Sequence, residues 1–77
     1  MKKWYIVIRT EGITGNPIKV NGNLNKLNVT DMNGNELELI GVFKNLGLAK
    51  RIAKGDSEYV FYWIEGKDKA WYSGGLN

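Results

Sequence analysis

The chain contains no cysteine and no histidine. The first absence removes disulfides. The two together remove the common structural zinc sites, which need thiolate or imidazole ligands. They also remove the thiol nucleophile, the serine–histidine triad and the ordinary imidazole acid–base pair. With the usual staples of a small fold missing, a chain of 77 residues rests on its own hydrophobic core or on self-association.

Other scarcities narrow the reading further. Proline occurs once, at Pro17, and arginine only at Arg9 and Arg51. No apolar run approaches the ~20 residues of a membrane-spanning helix. The apolar residues 4–8 behind Lys2 and Lys3 are too few for a signal-peptide core, and no small-residue cleavage site follows. A soluble, cytoplasmic protein is therefore expected, in which the Asn28-Val29-Thr30 sequon has no use. No phosphate-binding or dinucleotide glycine motif is present, and Gly12, Gly15 and Gly22 do not lead into a helix. Asp31, Asn33 and Asn35 echo a calcium loop, but Gly34 falls at the fourth position and Glu36 stands where the glycine should be. Asp31, Glu36 and Glu38 read as solvated turn and strand residues. The expectation is a non-catalytic protein without metal or cofactor.

What is present is aromatic and mildly basic. Three Trp, four Tyr and two Phe supply core material, and aromatic side chains carry the most apolar area per residue. The formal charge is +3 with a pI near 9.3, which permits nucleic acid or an acidic partner. Abundant Lys and Asn in a short single-domain chain match a profile common in phages and mobile elements.

Periodicity gives the elements. Residues 3–10 alternate Trp4, Ile6 and Ile8 with Tyr5, Val7 and Arg9; apolar residues on both faces predict a central strand. Residues 11–17 hold two glycines, an asparagine and the proline, a loop signal. Two Asn-Gly-Asn triplets, at Asn21 and Asn33, predict hairpin turns in a meander of short strands. At the second, a loop of Met32 to Gly34 with Gly34 left-handed pairs Val29 with Leu37 and Leu27 with Leu39. That register puts the apolar residues on one face and avoids placing Asp31 opposite Glu36. The broken alternation between Leu24 and Leu27 predicts a bulge or bend.

Residues 46–54 predict the one helix, with Asn45 as N-cap and Gly55 just past the end. Leu46, Leu48, Ala49, Ile52 and Ala53 fall in one arc, opposite Gly47, Lys50, Arg51 and Lys54. In residues 57–65, Tyr59, Phe61 and Trp63 alternate with Val60, Tyr62 and Ile64. Residues 66–68 turn the chain, 69–73 return as a last strand, and 74–77 form a frayed tail. The order β-β-β-β-α-β-β defines an α+β fold: a small antiparallel sheet or half-closed roll of five or six strands with one helix on it. Residues 1–77 read as a single small binding domain. The opening residues Lys2 to Val7 resemble the first strand of the NusG N-terminal domain. In that family a helix follows, whereas here a glycine- and proline-containing segment does, so no family is assigned.

Two candidate sites emerge. One is the basic helix face of Lys50, Arg51 and Lys54 with Lys44 nearby, suited to phosphate or an acidic protein. The other is the aromatic set Tyr5, Tyr62, Trp71 and Tyr72 with Arg9 and Lys69 close by, suited to stacking on bases. Helix and sheet cannot cover every aromatic face, so the surplus is expected to close a barrel, join copies of the chain or bind a partner. The leading expectation is a phage-like modulator that binds and inhibits or redirects a host protein. The alternative is a protein that binds single-stranded nucleic acid or nucleotides.

Overall fold

The computed structural model of the chain describes residues 2–12, 17–55 and 57–73. Period-two runs become six strands: β1 (Lys3–Arg9), β2 (Ile18–Asn23), β3 (Lys26–Thr30), β4 (Glu38–Phe43), β5 (Glu58–Ile64) and β6 (Lys69–Tyr72). A single helix, α1 (Leu46–Ile52), joins β4 to β5, so the expected element order holds. All pairings are antiparallel, in the spatial order β3-β2-β6-β5-β1-β4. An isolated bridge between Thr30, at the end of edge strand β3, and Glu36, two residues before edge strand β4, leaves the sheet a nearly closed roll.

The inner face holds the main core. Trp4 and Ile6 on β1 stand opposite Trp63 and Phe61 on β5. Ile8, Ile18, Val20, Val29 and Ala70 complete the buried set. Each large side chain fully withdrawn from water contributes about 1.5–3 kcal/mol, so this cluster is the principal source of stability. Both buried indoles keep a partner for their N–H: Trp4 donates to Glu65 Oε1 at 2.9 Å, and Trp63 to the Lys67 carbonyl at 2.8 Å. β1 lies between β4 and β5, the central position its two apolar faces predict.

On the outer face α1 packs its Ala49 and Ala53 against Val7 and Val60. Asn45 caps the helix as expected, its side chain accepting from the Leu48 N–H at 2.9 Å. The helix departs from its sequence pattern in two respects. It ends at Ile52, and Gly55 has no left-handed conformation; its N–H donates to Glu58 instead. The buried arc is also turned: Ala49 and Ala53 are buried, while Leu48 and Ile52 remain 43% and 44% exposed. Leu46 joins the two alanines against the sheet, and Leu48 and Ile52 stay on the helix flank.

The two Asn-Gly triplets behave differently. At the second, Gly34 takes φ +90° and the Asp31 N–H donates to the Asn35 carbonyl at 2.9 Å, closing the expected three-residue loop. The Leu37 N–H donates to the Val29 carbonyl at 3.0 Å, as the expected register requires. The ladder stops there, because Leu39 pairs with Ile8 of β1 and Leu27 with Gly22 of β2. The first triplet is not a turn. Gly22 sits inside β2 at φ +92°, and the chain reverses two residues later, at Leu24 and Asn25. There the Asn25 N–H donates to the Asn23 side chain at 3.0 Å, a local bond that favours a turn. The bend expected between Leu24 and Leu27 is this reversal. The expected tail at 74–77 and the middle of the expected loop at 11–17 lie outside the described residues.

Candidate nucleic-acid interface

Strand pairing builds an aromatic row on the outer face. Phe43 of β4 stands opposite Tyr5 of β1, Tyr5 opposite Tyr62 of β5, and Tyr62 opposite Trp71 of β6. The helix covers one end: Phe43, Tyr5 and Leu46 pack into the cluster under α1. The other end is open. The rings of Tyr62 and Trp71 stack at 5.8 Å and 28°, and Trp71 is 38% exposed. The Lys3 ammonium lies 4.7 Å from the Tyr62 ring centroid and 5.7 Å from that of Tyr5.

The surroundings of the open end are basic. The outward residues of β2, β3 and β6 include Lys19, Lys26 and Lys69 and no carboxylate. Asn21, Asn23, Asn28 and Thr30 supply the remaining polar groups there. Lys19 stands directly opposite Lys69, two residues from Trp71 along β6. The face therefore offers a planar ring, ammonium groups and amides together, the set that holds single strands by stacking and phosphate contact.

The sequence-predicted residues are distributed unequally. Tyr5, Tyr62 and Trp71 come together. Tyr72 does not join them: it points inward and meets Phe61 and Tyr59 edge-on, at 5.6 and 6.3 Å. Neighbouring residues on one strand face opposite sides, so Trp71 and Tyr72 cannot share a platform. Arg9 lies at the far end of the same face. It donates to Glu58 at 2.7 Å and to Glu38 at 3.2 Å. The Glu58 hydrogen bond, then the Glu38 charge, push the guanidinium pKa further up. Lys44, Arg51 and Lys54 are exposed around α1, and Lys50 is half-buried.

Lys3 and Lys19 escaped the sequence reading as site residues. Lys3 could have been found, since it is two residues from Tyr5 on one strand. Lys19 could not, because its place depends on the non-local pairing of β2 with β6.

Glu38 goes to Arg9, and Asp31 organises its own turn. The Asn35 side-chain amide, then the backbone N–H groups of Asn35, Asn33 and Gly34, hold the Asp31 carboxyl below the usual range. Among the described residues no cluster of three or more acidic, His or Cys groups could hold a metal ion, and no helix is long and apolar enough to cross a membrane. A concavity of about 220 Å³ at one end of the roll has Ile8, Ile18 and Phe61 in its wall and Asp31 and Thr10 among its polar residues. No family model matches the chain, and neither a curated protein nor a solved structure does.

Proposed function

We propose that this is a non-catalytic binding protein that takes single-stranded nucleic acid on the outer face of β6, β5 and β1. The observation that carries the reading is the open end of the aromatic row, where Trp71 is exposed beside Lys19 and Lys69 on a face whose β2, β3 and β6 residues include no carboxylate. Base–aromatic stacking tolerates any sequence, because every base has a π-face. The direct test is fluorescence anisotropy of labelled single-stranded DNA and RNA across a salt series. Affinity should fall as salt rises, with a logarithmic slope of about −0.7 per phosphate contacted. Absence of binding to either strand at low salt would overturn the reading.

A second reading, binding to a host protein that the chain inhibits or redirects, draws on a different observation. Leu48 and Ile52 lie one turn apart on α1, both exposed, with Arg51 between them. Exposed apolar side chains beside an arginine suit a protein interface. A nuclease-resistant complex that is lost in the Leu48→Glu/Ile52→Glu variant would select this reading over the first.

A further inference from the structure

The pairing of β2 with β6 places two lysines in direct register, Lys19 against Lys69, both on the outer face. Like charges directly opposite in an antiparallel pair destabilise it. Among the described residues neither ammonium lies within ion-pair distance of a carboxylate. No ion pair among the described residues offsets this repulsion, and a single anion between the two would relieve it.

Trp71 follows Lys69 by two residues on the same face of β6. One face of its indole is taken by Tyr62. On the opposite side Ile18 pairs with Ala70, which sets Pro17 rather than a charged or bulky β2 side chain next along the register, and Trp71 keeps 38% of its surface exposed. Two residues of strand span about 7 Å, which lies within the reach of a base and its own phosphate. The Trp71 N–H has no partner among the described residues.

We infer that Trp71, Lys19 and Lys69 form one nucleotide subsite, in which the indole stacks a base and the two ammonium groups bracket that nucleotide's phosphate. The inference rests on the nucleic-acid reading above and sharpens it: the ligand unit is a nucleoside monophosphate within a single strand. Lys44 and Lys54, around the helix, lie outside this subsite.

The test compares two double variants with the wild-type chain on an oligothymidine of about eight nucleotides, a length within the usual site size. Lys19→Gln/Lys69→Gln and Lys44→Gln/Lys54→Gln each remove the same charge. The first should weaken binding by about tenfold or more, as expected for loss of charged hydrogen bonds. It should also make the salt slope shallower by about 0.7, one phosphate's worth. The helix pair should weaken binding by no more than about twofold, the scale of an exposed charge. Thermal melting checks folding, and the first variant should melt at or above the wild-type temperature because repulsion is relieved. Equal weakening by both variants, with the wild type still binding, overturns the subsite and leaves the general reading standing. Failure of the wild type to bind at low salt overturns both.

Discussion

The Trp71 indole lies on the Tyr62 ring with centroids 5.8 Å apart, and it is the most exposed aromatic side chain of the outer row. Trp71→Ala removes a ring pair worth about 0.5–1.5 kcal/mol beyond its area, so the folded state should survive. Binding to a single strand should lose about 1–3 kcal/mol, the usual value of one stacked base. Anisotropy and thermal melting on the same sample separate the two effects. Unchanged affinity in a folded variant would remove Trp71 from the interface.

The Trp71 ring also offers a reporter. Trp4 is 8% exposed and Trp63 1%, against 38% for Trp71. Soluble quenchers act on exposed indoles, so iodide should quench mainly Trp71, and saturating oligothymidine should protect it. Quenching that the oligonucleotide leaves unaltered would mean that bases do not reach the ring.

Gly22 and Gly34 share a left-handed conformation but not a neighbourhood. At Gly22 an added Cβ would overlap the Lys26 carbonyl oxygen, whereas at Gly34 nothing lies within 4 Å. Gly34→Ala should cost about 1–2 kcal/mol, the left-handed penalty alone. Gly22→Ala should cost more, because the β2–β3 hairpin must also shift. Denaturant unfolding of the two variants gives the difference, and equal losses would contradict the clash.

Glu58 connects three parts of the molecule. It accepts from Arg9 of β1 at 2.7 Å and from the Gly55 N–H beyond α1 at 3.1 Å, and its side chain is only 12% exposed. The Arg9 hydrogen bond, then the Gly55 N–H, hold its carboxyl below the usual glutamate range. A carboxyl depressed in the folded state stabilises above its unfolded value, and that contribution is lost as pH falls through the depressed one. Glu58→Gln should therefore lower the melting temperature at neutral pH, with the deficit shrinking on acidification below the ordinary carboxylate range. A deficit independent of pH would show that the charge is not responsible.

The orientation of α1 is open to the same kind of test. Ala49 is fully buried against Val7 and Val60, and Leu48 is 43% exposed. Ala49→Leu should overpack the interface and cost about 1–3 kcal/mol. Leu48→Ala should stay within about 0.5 kcal/mol, as surface changes do. The reverse ranking would restore the arc that hydrophobic spacing alone suggests.

Local information went far here. Alternation in residues 57–65 sets Phe61 and Trp63 inward and Tyr62 outward, and the strand obeys it because successive side chains must face opposite sides. Asn45 caps the helix because its side-chain oxygen meets an unpaired helix N–H regardless of what surrounds it. The three-residue loop at Gly34 was legible for a similar reason: a left-handed glycine and the apolar register leave one solution.

Where two distant segments compete, sequence was insufficient. Gly22 carries the same signal as Gly34, yet it lies within β2, and the chain reverses at Leu24 and Asn25 instead. Leu39 leaves its hairpin partner for Ile8, and Lys19 comes to Lys69, through pairings between strands far apart in the chain. The helix sets Ala49 and Ala53 against Val7 and Val60 and leaves Leu48 and Ile52 of the same arc exposed, an orientation fixed by its contacts with the sheet. The sequence by itself determined β1, β5 and β6, the cap, the second turn and the inward aromatics, since each depends on neighbours in the chain. Which aromatic stays exposed, and which lysines surround it, was decided by strand order, which only burial of the whole sheet can select.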